Sequence, residues 1–179
     1  ELYGLYEAAC HSRKMERLVV VEGYMDVVAL AQFGVSYAVA ALGTAISSIQ
    51  IEKAFRYCNE LIFCFDGDAA GRRAAGKALD ASLPLLVAGK TVKFLFLVEG
   101  EDPDSYIRSR GKENFVALLD IAQPLSSYLF EVLADGLSLE SAEGRAGLIT
   151  KALPVLYRIP EGPFRQQLFI ALSLRTQSD

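Results

Sequence analysis

Short apolar runs alternate with segments of helical periodicity between residues 18 and 97, and this alternation restricts the fold more than any other feature of the sequence. The runs are continuous, are rich in β-branched and aromatic residues, and do not alternate between apolar and polar positions. Such runs are typical of strands in a parallel sheet that helices cover on both faces. Strands are predicted at residues 18–22, 37–41, 61–65 and 91–98. We therefore expect an α/β sandwich built on a parallel sheet.

The segments between and around these runs have the spacing of amphipathic helices. Helices are predicted at residues 2–12, 25–33, 47–57 and 69–87. After Pro103 the pattern is helical only, with helices predicted at residues 105–110, 113–122, 125–133, 143–157 and 164–175. The expected organisation is an N-terminal helix in residues 1–17, an α/β domain in residues 18–104 and a small helical bundle in residues 105–179.

The composition is that of a folded protein without a membrane segment or a disulfide framework. The 179 residues are 52% hydrophobic, which is enough apolar material for one domain and a smaller appendage. No apolar stretch reaches the roughly 18 residues of a membrane-spanning helix, and no signal-peptide pattern opens the chain. Cys10, Cys58 and Cys64 are an odd number, at spacings that fit neither disulfides nor a zinc ribbon. We expect a soluble protein of the reducing cytoplasm with no zinc site.

Acidic side chains follow three of the predicted strands. Parallel strands end at the same edge of their sheet, so residues that follow different strands lie close together there, and ligands bind at that edge. Carboxylates gathered in a partly desolvated site repel one another unless cations or protons neutralise them. The six acids are Glu22 and Asp26 after the first strand, Asp66 and Asp68 after the third, and Asp102 and Asp104 after the fourth. The sequence therefore predicts a metal site at this edge.

Carboxylate oxygens without a neighbouring histidine or cysteine favour Mg²⁺ or Mn²⁺ over zinc or copper. Ca²⁺ stays open as an alternative, although the spacing is not that of an EF-hand loop. A single aspartate at a strand end is more often a helix cap or a solvated loop residue. The combination of three acidic strand ends, with Gly23 and Gly67 beside the acids where backbone or ligand must approach closely, favours the metal site.

A phosphate group is a second candidate ligand for the same edge. The helix that follows Asp68 begins AAGRRAAGK, so its first amides, with Gly71 leaving room and Arg72 adding charge, are suited to bind an anion. Thr44, in the LGTAISS loop after the second strand, is a further candidate, and Gly23 allows close approach. The alternative for these residues is ordinary loop and cap chemistry with a solvated arginine.

Other kinds of site are not indicated. The formal net charge of −4 argues against a grip on nucleic acid by the whole surface. The single histidine, His11, lies in the predicted N-terminal helix away from the acids, so no nucleophilic triad can be assembled. Most of the 10 Phe and 8 Tyr fall on predicted strands or buried helix faces, and no base-stacking platform is evident. Any chemistry is expected to depend on metal ions.

Four motifs resemble the Toprim domain of bacterial DnaG-type primases. They are VVVEGYMDVVALAQFG, ALGTA, FCFDGDAAGRRAA and GEDPD. An acid after one strand and DxD after another are shared by Toprim proteins, but EGYMD, DGD-x-AGR and EDPD together are similar to primases in particular. LYGLYEA before the sheet and PLSSYLFE, EGRAGLI, ALPVLYRIP and PFRQQL after it resemble the rest of the same polymerase domain, so the likeness covers nearly the whole chain.

The resemblance implies a Toprim fold and a DNA primase, a DNA-directed RNA polymerase that makes short RNA primers for DNA replication by metal-dependent nucleotidyl transfer. The implied cofactor is Mg²⁺ or Mn²⁺, and the implied partners are a single-stranded DNA template, ribonucleoside triphosphates and the RNA primer. Glu22 could act instead as a general acid or base. The family's central metal acids match Glu22, Asp66 and Asp68, and its additional acids match Asp26, Asp102 and Asp104.

In the family, a zinc-binding domain and a basic template-binding subdomain precede this region, and a helicase-binding domain follows it. We expect none of these in the chain, which suggests a fragment that folds and binds metal but primes weakly or not at all by itself. The replicative helicase is then a partner only through a domain outside the chain. Two alternatives stay open, a Toprim-type nuclease or topoisomerase fragment and a metal- and nucleotide-binding module without catalysis.

Overall fold

A five-stranded sheet with helices on both faces forms the centre of the computed structural model, which describes residues 1–178. The elements in chain order are α1 (Leu5–His11), β1 (Met15–Val21), α2 (Tyr24–Gln32), β2 (Ala38–Ala40), α3 (Ser48–Ala54), β3 (Cys58–Phe65), α4 (Ala69–Ser82), a 3-10 turn (Leu83–Leu85), β4 (Thr91–Phe96), α5 (Pro103–Asp120), β5 (Gln123–Pro124), α6 (Leu125–Ala134), α7 (Ala142–Leu156) and α8 (Pro163–Thr176). The strand order is β2-β1-β3-β4-β5. The predicted α/β sandwich followed by helices is confirmed.

Successive residues of β1 face two different cores, which is why the strands are continuous apolar runs. Leu18 and Val20 belong to one hydrophobic cluster, whereas Val19 and Val21 belong to the other. Residues of α2 and α5 complete the second cluster, and residues of α3, α4 and α6 to α8 complete the first. Helices therefore cover the sheet on both faces, as expected for parallel strands of this composition.

The helical region after the sheet packs directly on one of its faces. The ring of Tyr128 on α6 lies 4.5 Å from that of Phe94 and 5.4 Å from that of Phe96, between centroids. Leu148 on α7 and Leu168 on α8 belong to the same buried cluster. This packing fixes β4, the strand that precedes Asp102 and Asp104, against the last three helices. The domain boundary at residue 104 stays a prediction.

The four predicted strands pair in parallel as expected, and a short fifth strand that was not predicted makes the sheet mixed. β1 to β4 pair in parallel, but β5 pairs antiparallel with β4, with Gln123 opposite Phe94 and Pro124 opposite Lys93. β1 and β3 also begin three residues before their predicted starts, because Met15 pairs with Cys58 across the ladder. Backbone pairing continues there through charged residues that the apolar pattern does not include.

Two helices end or bend where glycine or proline interrupts them. The two helices predicted at residues 105–110 and 113–122 form the single element α5, which is broken at Gly111 with φ 81° and ψ 170°. The helix predicted at residues 69–87 ends at Ser82, where the 3-10 turn containing Pro84 takes over. No helix within residues 1–178 is both long enough and apolar enough to span a membrane.

Candidate metal site at the carboxyl ends of the strands

The six predicted acids lie at or next to the carboxyl ends of β1, β3 and β4, and we call them the acidic rim. Phe63 on β3 pairs with Val20 on β1 and with Phe94 on β4, so the three strands run side by side to this edge. Their helices start there as well, since α2, α4 and α5 each begin within a few residues of the preceding strand. The rim consists of Glu22, Asp26, Asp66, Asp68, Asp102 and Asp104.

Glu22 and Asp66 are acids of the rim that act directly on each other. Their carboxyl groups lie within hydrogen-bonding reach of each other. Burial, followed by repulsion from Asp66, Asp68 and Asp26, raises the pKa of Glu22 to about 7. Burial likewise raises the pKa of Asp66, whose Oδ1 atom is buried and has no hydrogen-bond partner. An orphaned carboxylate oxygen beside a second acid is a place where positive charge would be stabilised, so this pair fits a divalent cation.

Asp26 joins the rim from the first turn of α2. Burial raises the pKa of Asp26 to about 6. The backbone N–H of Asp104 donates to its Oδ1 atom at 3.1 Å, and this hydrogen bond offsets part of the rise because it stabilises the ionised carboxylate. The charges of Asp102 and Asp66 add to the rise. The first turn of α5 is thus tied by a hydrogen bond to the first turn of α2, and the acids of all three strand ends act on one another.

Besides Asp26, three more of the acids have structural partners, and two of them are the helix caps that the alternative interpretation of strand-end aspartates predicted. The Asp68 side chain caps α4 by accepting from the Gly71 N–H at 2.7 Å, and the Asp102 side chain caps α5 by accepting from the Ser105 N–H at 2.7 Å. Asp104 forms an ion pair with Arg108 one turn later. Each cap uses one carboxylate oxygen, Oδ1, and a carboxylate has a second oxygen available as a ligand.

Within the described part of the chain, no three histidine, cysteine or acidic side chains are already arranged to hold a metal ion. Mg²⁺ commonly keeps several water molecules and binds through one or two carboxylates together with substrate phosphates. The Glu22–Asp66 pair suits this mode of binding, in which two carboxylates hold the ion. Coordination by protein side chains alone would require other acids of the rim to move towards the pair. Which of the six acids are ligands stays a prediction.

Two glycines allow the loops of the rim to pack against backbone. A Cβ atom on Gly67 would lie 2.1 Å from the carbonyl oxygen of Leu97, and one on Gly71 would lie 2.1 Å from that of Asp66. At Gly23 the nearest atom would be Asp26 Oδ2 at 3.2 Å. Gly67 and Gly71 therefore fix the positions of the neighbouring acids by close backbone contact.

A cleft of about 410 Å³ opens beside Glu22, between the loop after β2 and the start of α4. Thr44, a predicted phosphate ligand, lines this cleft together with Arg73 and Lys77. Arg72, the basic residue predicted there, lies elsewhere, with its guanidinium carbon 3.7 Å from the Phe96 ring centroid and a nitrogen 3.9 Å from Glu131. Arg73 and Lys77 are four residues apart and therefore lie on the same face of α4. Arg72 is adjacent to Arg73 in sequence and lies on a different face of the helix.

Two family models match the chain. Residues 19–107 match a model described as Toprim-like, and residues 126–179 match one described as the DnaB-helicase binding domain of primase. The second match differs from our expectation that a helicase-binding region lies outside the chain. It covers α6, apart from its first residue, together with α7 and α8.

Relatives in sequence and in structure are bacterial DNA primases. The chain is 50% identical over 160 residues to the DNA primase of Escherichia coli K12, an alignment that covers 89% of the chain and 28% of the relative. It therefore spans little more than a quarter of the length of that relative. A DNA primase domain from Pseudomonas aeruginosa matches with a TM-score of 0.97 and 49% identity, over 100% of this chain and 56% of the other.

A DnaG primase catalytic domain bound to single-stranded DNA matches with a TM-score of 0.93 and 48% identity, over 97% of this chain and 56% of the other. These matches extend over nearly the whole chain, so the similarity includes both the sheet and the helices after it. The chain belongs to the bacterial DnaG-type primase family.

Proposed function

We propose that the chain is the metal-binding catalytic core of a DNA primase, a DNA-directed RNA polymerase that synthesises short RNA primers for replication. The observation that carries this proposal is the Glu22–Asp66 pair, in which a raised pKa and a buried unpartnered oxygen occur at the carboxyl edge of the sheet. Family membership supports the nature of the reaction. The natural setting is the bacterial cytoplasm.

The proposed ligands are the central acids Glu22, Asp66 and Asp68, with Asp26, Asp102 and Asp104 as additional ones. A bound Mg²⁺ or Mn²⁺ would supply the positive charge that orients a nucleoside triphosphate, activates the attacking 3′-hydroxyl and stabilises the pyrophosphate leaving group. Asp68 and Asp102 hold the first turns of α4 and α5 in place through their Oδ1 atoms, and their second oxygens would be the ones to bind the metal ion. Such catalysis depends on positioning and electrostatics.

Glu22 is also suited to proton transfer. A carboxyl group with a pKa of about 7 is half protonated near neutral pH, so before metal binds it can hold a proton between itself and Asp66. Gly23, Gly71, Arg72 and Thr44 are proposed to contact the nucleotide phosphates, and for Arg72 this contact requires its guanidinium group to leave Phe96 and Glu131. Of these, the Gly71 N–H already donates to Asp68 and Gly71 packs against the Asp66 backbone, so its contribution is to hold these two acids in place.

The proposed partners are a single-stranded DNA template, ribonucleoside triphosphates, the RNA primer and the replicative helicase. The relative whose structure matches with a TM-score of 0.93 is bound to single-stranded DNA, which supports the template. The match of residues 126–179 to the helicase-binding model supports a helicase contact through α6 to α8.

Calorimetric titration with Mn²⁺ tests the proposed site. The wild-type chain is expected to bind Mn²⁺ saturably, whereas Asp66→Asn and Glu22→Gln are expected to lose most of that binding while keeping the same circular dichroism spectrum. Glu52→Gln, an exposed residue on α3, is the control and should bind like the wild type. Folded Asp66→Asn and Glu22→Gln proteins that bind Mn²⁺ as tightly as wild type would refute the assignment.

Activity is tested in the same variants within a full-length family protein. Incorporation of labelled ribonucleotides on single-stranded DNA is expected for wild type and for the control, and loss of at least about a hundredfold is expected for Asp66→Asn, the scale of an electrostatic catalytic group. Cleavage of the DNA without ribonucleotide incorporation would instead favour the nuclease alternative.

A further inference from the structure

Arg73 and Lys77 on α4 are the two basic residues that line the cleft beside Glu22, and no carboxylate in residues 1–178 pairs with either of them. Ion pairs hold Arg17, Arg72, Lys93, Arg108, Arg110, Arg158 and Arg165. Both side chains are exposed, yet both line the cleft beside Glu22. Two positive charges in a concave surface next to an acidic rim are free to bind an anionic ligand.

The two residues form a strip that leads away from the rim. α4 begins at the rim, where Asp68 caps it, and Lys77 follows Arg73 after four residues, about 6 Å further along the helix. Ala70 and Ala74 occupy the same face and leave the strip without bulky side chains. Thr44, on the opposite side of the cleft, adds a hydroxyl group. We call Arg73 and Lys77 the α4 strip.

Length and spacing favour a polymer over a single nucleotide. A triphosphate bound at the rim is compact. The positive charges of the α4 strip lie about one and two helical turns beyond the first residues of α4, which is further than such a ligand needs. Arginine, lysine and threonine side chains bind backbone phosphates without reading bases. Such contacts suit a strand that must slide through a polymerase, since they set its path and not its sequence.

We propose that the α4 strip binds backbone phosphates of single-stranded nucleic acid and guides the strand along the cleft towards the acidic rim. This inference rests on the proposed function for the class of the ligand, but it concerns residues that the metal site does not use. The contacts are electrostatic, so the affinity they contribute falls as salt rises.

The test is fluorescence anisotropy of a labelled oligothymidylate of about 16 nucleotides, a length within the range of single-strand sites, with the 179-residue chain in chelator. Arg73→Gln/Lys77→Gln is compared with wild type and with Arg56→Gln/Lys151→Gln, which removes two exposed charges outside the cleft. Each single-strand phosphate contact contributes about 0.7 to the log–log salt slope, so the strip variant should lose about 1.4. We expect its affinity to fall about fivefold or more at about 50 mM salt, with the control unchanged.

Several results would overturn the inference. They are absence of wild-type binding at about 50 mM salt, an unchanged slope in the strip variant, and equal weakening in strip and control variants. A strip variant that loses ATP binding without metal but keeps oligonucleotide binding would assign the strip to nucleotides instead.

Mn²⁺ titration of the same proteins separates the two proposals. The strip variant should bind Mn²⁺ like wild type, and Glu22→Gln should still bind the oligonucleotide in chelator, at least as tightly as wild type, because it removes a negative charge that lines the cleft. Failure of the metal site would then leave oligonucleotide binding intact, and failure of the strip would leave metal binding intact.

Discussion

Glu22 and Asp66 are held close together although both carry acidic groups, and this arrangement has a measurable consequence for ligand binding. Burial and neighbouring carboxylates raise the pKa of Glu22 to about 7 and that of Asp26 to about 6. A metal ion must displace the protons that these groups hold. Proton and metal therefore compete for the same oxygens.

We predict that Mn²⁺ affinity increases with pH between about 5.5 and 8, by up to about tenfold per pH unit below the pKa of Glu22. The increase should level off above about pH 7.5, where Glu22 is ionised. Calorimetry in two buffers of different ionisation enthalpy measures the proton released on binding. An affinity that does not change over this range would contradict competition at Glu22.

Gly71 and Gly76 lie on the same helix but in different surroundings. A methyl group on Gly71 would overlap the Asp66 backbone at 2.1 Å, whereas one on Gly76 would meet nothing within 4 Å. We predict that Gly71→Ala lowers the free energy of unfolding by about 2 kcal/mol or more, because backbone must move. Gly76→Ala should raise it by up to about 1 kcal/mol through helix propensity. Urea unfolding of the two variants measures both effects, and equal behaviour of the variants would be inconsistent with the packing at Gly71.

At the scale of elements, the sequence predicts what depends on local pattern and misses what depends on packing. β1 to β4 are recognisable because both faces of each are buried, and the acids follow from where those strands end. β5 has two residues and no periodicity, and its pairing depends on how α5 returns the chain to the sheet. No sequence pattern of that length could indicate it.

The choice between Arg72 and Arg73 shows the same limit within the candidate site. Both lie in the first two turns of α4, so the motif alone supports either as a phosphate ligand. Their directions depend on the rotation of α4, which the burial of Ala75, Ala78 and Leu79 sets. The positions of the acids can be predicted from where the strands end. The basic residues of the cleft cannot be predicted in this way, because they depend on how α4 is oriented.

Lys90 joins two elements at the opposite edge of the sheet. Its Nζ atom donates to the carbonyl oxygens of Phe55 and Cys58 at 2.7 and 2.9 Å and to Asn59 Oδ1 at 2.9 Å. We predict that Lys90→Met lowers the free energy of unfolding by about 1–3 kcal/mol, since partly buried acceptors lose a charged donor. Lys53→Met, at an exposed position of α3, is the matched control and should change stability by less than about 0.5 kcal/mol. Equal losses in chemical denaturation would show that the Lys90 contacts contribute nothing.

For the whole molecule, the rim makes folding itself depend on pH. The folded pKa of Glu22 is about 7, against an ordinary value of 4.5, so between these values the folded chain binds more protons than the unfolded chain. Stability is therefore highest at the acidic end of this window and falls as pH rises through it. Asp26, with a pKa of about 6 against 3.8, acts in the same direction.

We predict that the unfolding temperature in chelator is lower at about pH 8 than at about pH 5.5 by a few degrees, which corresponds to about 1 kcal/mol after solvent screening of these half-exposed groups. Glu22→Gln should reduce this difference, and Mn²⁺ should raise the unfolding temperature mainly at the higher pH. Differential scanning calorimetry supplies the measurement. A chain that becomes more stable towards pH 8 without metal would show that the rim does not carry this repulsion.

The two margins of the sheet also determine how the chain behaves when it is crowded with copies of itself. At one margin, the backbone of Tyr3 exchanges hydrogen bonds of 2.9 and 3.1 Å with Ala40 and so occupies the outer side of β2. At the other margin lies the two-residue β5, where Pro124 has no N–H to offer. In residues 1–178, neither side of the sheet presents a long open strand with which a neighbouring molecule could pair. The parallel sheet that carries the acids is thereby protected against the edge-to-edge stacking that leads β-rich proteins to aggregate.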